Sequence, residues 1–288
     1  MNINISSYLP DYELIDCGNH KKLERFGDII AIRPEISANT SPKLKFTEWE
    51  NVADISFDAE NNVWIKHKDK SLVEWGMTYR ELNFKLRLTN FKHIGIFPEQ
   101  AINWDYISKI KACFNNVPSF LNLFGYTGIS SIVAASNNYK VTHIEALKQI
   151  INWGKQQALD NNITCIRWIA DDVLKFVERE NRRKNKYNFI IIDPPAIGYG
   201  KGGKRWIFEK DIMPLLDMLS QILDNQAVVV LNLYSHSMNE KFSHKLILEY
   251  FKDFNIETNG IVLGKSSYGD TINHGQLIRL ERNIEIVE

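Results

Sequence analysis

From residue 117 onward, strand-length apolar runs recur at intervals too long for simple hairpins, and helical periodicity fills the gaps. The runs are 119–124 (SFLNLF), 141–144 (VTHI), 165–169 (CIRWI), 188–193 (NFIIID) and 227–233 (AVVVLNL). Helical spacing is clearest in "ALKQIINWGKQQALDNN" and "WIFEKDIMPLLDMLSQIL". A strand followed by a helix and a further strand is the unit of a parallel sheet, so the pattern predicts a doubly wound α/β fold with both sheet faces covered. Two later strands, about 256–263 and 275–281, are joined by a polar loop and predict an antiparallel hairpin at the sheet edge.

The chain before residue 117 has a different character. Turn-rich stretches separate short alternating segments, such as Phe84, Leu86 and Leu88 against Lys85, Arg87 and Thr89, which read as half-buried antiparallel strand. "DAENNVW" reads as a hairpin turn, and a helix is expected near 98–114. The expected organisation is a small β-rich domain over 1–95 and an α/β domain over 96–288. The 35 Lys+Arg balance 35 Asp+Glu, so global charge neither demands nor excludes a polyanionic partner. The basic run 178–186 reads as a solvated helix end. Three scattered cysteines, Cys17, Cys113 and Cys165, read as reduced thiols without a metal site. With no basic start, no apolar leader and no membrane-length run, a cytoplasmic protein with no membrane association is expected.

In open α/β sheets, ligands bind beyond the carboxyl ends of the strands, so the residue after each strand matters most. After the first strand, Gly125 and Gly128 in "LNLFGYTGISS" suit either a ligand loop at a helix N-terminus or a plain tight turn. Glu145 ends the second strand, where an acid accepts from both ribose hydroxyls or simply caps the following helix. Asp171 and Asp172 follow the third strand. Either could cap a helix; a carboxylate there could also accept from an adenine amino group, and position favours Asp172. The fourth strand delivers Asp193-Pro194-Pro195. Two prolines fix a rigid turn in which the Pro194 carbonyl and the Asp193 carboxylate can accept the N–H hydrogens of an attacking amine.

These elements, in this order, resemble the class I S-adenosylmethionine-dependent methyltransferases, whose Rossmann-like sheet has seven strands. More narrowly, "LNLFGYTG", "IIDPP" and the upstream "GIFPEQAINW" resemble the bacterial large-subunit (23S) rRNA methyltransferase family of cytosine-C5 and guanine-N7 enzymes. The resemblance implies S-adenosylmethionine as cofactor and RNA, in particular rRNA, as substrate. It implies that Phe97 and Gln100 close over the cofactor, and that Asn122, Phe124, Gly125, Thr127 and Gly128 surround its methionine end. Glu145 would then hold the ribose, Asp171 and Asp172 the adenine side, and Asp193 the reacting end together with Pro194 and Pro195. Ile129 stands where relatives usually carry a second glycine.

Cytosine-C5 methylation needs a cysteine nucleophile, because C5 is not nucleophilic by itself. In the cytosine-C5 members that cysteine follows the fifth strand; here the stretch is "VVVLNLYSHSMNE", with Ser235, His236 and Ser237, and no cysteine follows Cys165. Methylation of a base nitrogen is therefore expected. Beyond Asp-Pro-Pro, Gly198 to Lys204 matches the first seven positions of a phosphate-binding loop, but the match follows a proline turn and Arg205 replaces the magnesium-binding Ser/Thr. That segment reads as a substrate flap or a solvated connection. As a flap, Lys201, Lys204 and Arg205 would hold phosphates, and Tyr199 or Trp206 would stack on a base. A cofactor-binding assembly protein without catalysis, or a methyltransferase of a non-RNA substrate, are the alternatives.

Overall fold

The computed structural model describes residues 2–4, 9–68, 72–199, 205–234 and 240–285. They form two compact units, one of residues 2–102 with 262–274 and one of residues 103–261 with 275–288.

After a short β1 (Asn2–Asn4), the first unit contains β2 (Tyr12–Gly18), β3 (Lys21–Phe26) and β4 (Ile29–Pro34), paired antiparallel in sequence. β5 (Ile55–Asp58) lies parallel to β4, which requires a crossover, and α1 (Phe46–Val52) supplies it. β6 (Val63–Lys66) returns antiparallel through the expected turn, where the Asp58 carboxylate accepts from the amides of Glu60 and Asn61. β7 (Trp75–Tyr79) and β8 (Leu82–Leu86) form a separate hairpin; the expected alternation holds at Phe84, Lys85 and Leu86, but the strand ends there and Arg87, Leu88 and Thr89 are half-buried beyond it.

Two buried acids organise this unit. Asp16 docks α1 by accepting from the Leu44 amide at 2.8 Å and the Trp49 indole at 3.0 Å. Glu24, fully buried, takes a two-pronged contact from Arg33, at 2.8 Å to Oε2 and 3.0 Å to Oε1, with Lys22 at 3.3 Å. Burial alone would push this carboxyl up; Arg33 and Lys22 outweigh it and hold it at about 2. Segment 262–274 contributes Ile272 to a cluster with Leu14, Cys17 and Ala38.

The second unit is the doubly wound domain. α2 (Ala101–Ile110) leads into it. Then come β9 (Ser119–Leu123), α3 (Ile129–Ser136), β10 (Lys140–Glu145), α4 (Lys148–Asp160), β11 (Arg167–Ala170), α5 (Val173–Arg182) and β12 (Tyr187–Ile192). A small antiparallel pair, β13 (Ile197–Tyr199) and β14 (Arg205–Ile207), precedes α6 (Phe208–Ser220) and β15 (Leu223–Leu233). The chain ends with α7 (Glu240–Tyr250), β16 (Asn255–Lys265) and β17 (Thr271–Arg282). Seven consecutive strands of the large sheet run β16-β17-β15-β12-β9-β10-β11. β15, β12, β9, β10 and β11 are parallel, and β17 is inserted antiparallel beside β15. The direction of winding reverses between β9 and β12, so the loops leaving these two strands open a crevice between them.

The elements form where the pattern placed them, with shifted ends. β11 starts at Arg167, two residues later than expected, and β15 begins at Leu223, four residues early, with an irregular register against Tyr187 and Phe189. α5 shows the helical period plainly: Val173, Phe176, Val177 and Glu180 are its buried face. Glu180 is satisfied there by Arg183, Asn185 and the Tyr187 hydroxyl, so part of the basic run 178–186 is a helix end neutralising its own buried acid. Among the described residues, no helix is long and apolar enough to cross a membrane.

Replacing Arg33 with Met strands Glu24 in the interior with Lys22 as its remaining cation. The expected cost is about 3 kcal/mol or more, read from the urea unfolding midpoint of the full chain.

Candidate active site

The loop after β9 turns sharply. Phe124 and Tyr126 take left-handed conformations at φ 56° and 50°, and Gly128, at φ 81°, starts α3 with no side chain capping the helix. The glycines are required by what lies below them. A Cβ on Gly125 would stand 2.3 Å from His143 Cε1, and one on Gly128 would stand 2.6 Å from the Trp168 ring. Gly154 on α4 faces the same indole, its Cβ position 2.8 Å away. Ile129, where a second glycine was usual, points into the fold and is buried.

Asn122 lies beneath the loop. Its amide donates to Ser131 Oγ at 2.9 Å, and that hydroxyl lies 3.0 Å from His143 Nδ1. All three side chains are buried. Burial depresses the His143 imidazole to about 3, so it is neutral at physiological pH. Thr127 is likewise buried.

Glu145 ends β10 directly beside this loop. Its Oε2 accepts from the Tyr126 amide at 3.2 Å and its Oε1 from the Leu147 amide at 3.0 Å. Burial raises its carboxyl, partly offset by these bonds. One carboxylate thus ties the glycine turn to the start of α4 and still has lone pairs for further donors. Asp171 and Asp172 follow β11 with local duties. Asp172 caps α5 by accepting from the Lys175 amide at 3.0 Å. Asp171 accepts from the Asp172 amide at 2.9 Å and pairs with Arg179.

At the end of β12, the Asp193 amide faces the Leu123 carbonyl at 3.5 Å, so the acid stands beside the end of β9. Pro194 is buried and Pro195 exposed. The Pro195 carbonyl accepts from the Trp206 indole N–H at 2.8 Å, and the Ala196 carbonyl from the Phe208 amide at 3.0 Å. The candidate flap therefore begins as an antiparallel pair, with Gly198 opposite Trp206 and Tyr199 opposite Arg205. Gly198 lies in extended strand, which is not the strand-to-helix turn a phosphate loop needs.

Trp206 differs from expectation. It is 8% exposed and packs on Phe124 with ring centroids 4.7 Å apart, so it braces the loops and offers no open face to a base. Arg205 is exposed. Lys201, Lys204, Ser235, His236 and Ser237 lie outside the described residues. Phe97 and Gln100 belong to the first unit, where Phe97 precedes the short helical turn Pro98–Gln100 and its ring lies 5.0 Å from that of His93. Among the described residues, no group of three His, Cys, Asp or Glu side chains gathers as a metal site would require. The residues the sequence did not single out are Ser131, His143 and Trp168; the one available signal was a histidine inside the apolar run "VTHI".

A crystal structure of a SAM-dependent methyltransferase from Agrobacterium tumefaciens superimposes with a TM-score of 0.91 at 32% identity, covering 98% of this chain and 93% of that one. The chain belongs to the SAM-dependent methyltransferases. SMU.776 complexed with SAH is similar in fold, with a TM-score of 0.77 at 15% identity over 96% of this methyltransferase and 76% of that chain. Among curated relatives, the ribosomal RNA large subunit methyltransferase K/L of Pseudoalteromonas atlantica is 32% identical over 229 residues, 72% of this chain and 30% of its own length. That of Shewanella frigidimarina is 29% identical over 182 residues, 62% of this chain and 24% of its own length. The methyltransferase thus spans less than a third of these relatives. No family model matches it.

The residues present fit S-adenosylmethionine. The uncapped start of α3 offers backbone N–H groups, the Glu145 carboxylate keeps acceptor capacity for a further hydroxyl, and Asp193 places an acid near the crevice.

Gly125→Ala in the methyltransferase is expected to cost about 1–3 kcal/mol through overpacking against His143, visible in thermal unfolding. His143 adds a pH dependence of definite sign. The unfolded imidazole protonates near pH ~6.5, the folded one only at about 3. Between these values the unfolded state binds more protons, so stability is full above the upper value and falls as pH drops. His143→Gln should flatten that fall by about 1.4 kcal/mol per pH unit, measured as unfolding free energy in buffers between the two.

Proposed function

We propose that this methyltransferase acts on a nitrogen of a base in large-subunit ribosomal RNA, in the cytoplasm. The observation that carries the reading is Asp193-Pro194-Pro195, placed by β12 at the switch point beside the glycine turn of β9. The curated relatives' names, ribosomal RNA large subunit methyltransferase K/L, support the substrate class. The absence of any cysteine after Cys165 argues against carbon methylation and for nitrogen.

When bound, S-adenosylmethionine supplies an electrophilic methyl group carried on a sulfonium. The chain's own part is positioning and charge. Phe97, Gln100, Asn122, Phe124, Gly125, Thr127, Gly128, Glu145, Asp171, Asp172 and Asp193 are the proposed cofactor residues. Asn122 would serve through the Ser131–His143 network that shapes the turn, and Asp171 and Asp172 through the strand–helix junction they hold. The Asp193 carboxylate and the Pro194 carbonyl accept the hydrogens of the attacking nitrogen, aim its lone pair and stabilise the positive charge that develops on it. Arg205 offers a cation for phosphate, and Lys201 and Lys204 would extend that charge.

Calorimetric titration should show S-adenosylmethionine binding; none at millimolar cofactor would overturn the reading. With tritiated cofactor and protein-free large-subunit rRNA, mass spectrometry should find an N-methylated base. 5-Methylcytosine as the product would overturn the nitrogen assignment, and no label in the RNA would overturn the substrate. Asp193→Asn, which keeps shape and removes charge, should lower kcat roughly 10²–10³-fold.

A further inference from the structure

The Asp193-Pro194-Pro195 turn poses a mechanical problem. Two successive prolines have no N–H, so neither can hold the turn through the sheet ladder. The one backbone donor before them, the Asp193 amide, faces the Leu123 carbonyl at a long 3.5 Å. The turn is also held from its acceptor side by other residues. Two donors do so: the Phe208 amide to the Ala196 carbonyl at 3.0 Å, and the Trp206 indole N–H to the Pro195 carbonyl at 2.8 Å.

Trp206 does more than hold one carbonyl. Its ring packs on Phe124, which follows β9 in a left-handed conformation at φ 56°. One buried indole thus touches the loops leaving both strands at the switch point. Gly198 sits opposite it in the β13–β14 pair, where a Cβ would stand 3.2 Å from Pro195 Cγ and 3.5 Å from Trp206 Cβ. The indole takes the Pro195 oxygen, in the same turn as the proposed acceptors of a substrate amine, the Pro194 carbonyl and the Asp193 carboxylate.

We propose that Trp206 is a positioning residue for methyl transfer, its indole pinning the Asp193–Pro195 turn to the Phe124 loop so that the acceptor pair keeps its aim. The inference rests on the methyl-transfer reading above. Trp206 works through the turn and does not itself touch the reacting atoms.

Trp206→Phe keeps an aromatic ring against Phe124 and deletes the N–H donor, together with the second ring of the indole. In the full chain, amide hydrogen exchange of the peptide spanning 190–198 should accelerate, while the β9 peptide 119–123 stays as in the wild type. With tritiated S-adenosylmethionine and protein-free large-subunit rRNA, kcat should fall roughly 10- to 100-fold, as misplacement of reacting groups predicts. Cofactor affinity by calorimetry and the KM for RNA should stay unchanged. In an Asp193→Asn background the same substitution should cost much less, because its effect passes through that acid. Unchanged exchange in 190–198 would overturn the proposal, as would a kcat loss of equal size in both backgrounds. If Trp206→Phe does not accumulate as folded protein, Phe124→Leu tests the brace from its other side. It should loosen 190–198, and wild-type exchange there would overturn the proposal. A wild-type protein that transfers no methyl group to RNA would fail the functional reading, while the exchange comparison would still decide the brace.

Discussion

The Ser131 hydroxyl stands between the Asn122 amide and the His143 imidazole, and the turn above them takes its shape from that buried link. His143 fills the space directly under Gly125, so the backbone of the turn can settle only where no side chain intervenes. Once it settles, the Tyr126 amide reaches Glu145, and that carboxylate ties the turn to the start of α4. A protonated imidazole would put an uncompensated charge in this core, which is why burial keeps the ring neutral. The rest of the strand-end constellation is built outward from this floor.

Much of the constellation was readable from the sequence because its residues announce a backbone constraint. Asp193-Pro194-Pro195 after an all-apolar run can only end a buried strand, and Gly125 and Gly128 mark a turn at a strand–helix junction. Glu145 stood out by its distance from that turn, and in the structure it accepts from the turn's Tyr126 amide. What could not be read depends on residues far apart in the chain meeting in three dimensions. Trp206 lies eleven residues beyond Pro195, and only the antiparallel return of β14 onto β13 brings its indole back to the proline carbonyl. Read as part of a Gly/Lys flap, it was expected to stack on a base. Asp172 shows the opposite limit: capping and ligand readings use the same residue at the same place, and the cap is what the folded chain displays.

The β-rich unit buries charge on its strands: Glu24, Arg33 and Lys22 lie together inside, and Asp16 ties α1 to the sheet through the Leu44 amide and the Trp49 indole. Such acids are tolerated because each meets several donors. Alternation of apolar and polar residues predicts strands well in β8 and poorly in β3, since Lys22 and Glu24 face inward.

Segment 262–274 belongs to that same unit although it is separated from residues 2–102 by nearly the whole α/β chain. Ile272 shares a core with Leu14 and Cys17, the Ser267 amide donates to the Leu14 carbonyl, and Lys43 pairs with Asp270. The β-rich unit is therefore not a contiguous stretch of gene. An exchange or deletion that cuts only near residue 100 would leave behind part of its core, so recombination must treat residues 2–102 and 262–274 as one inherited piece.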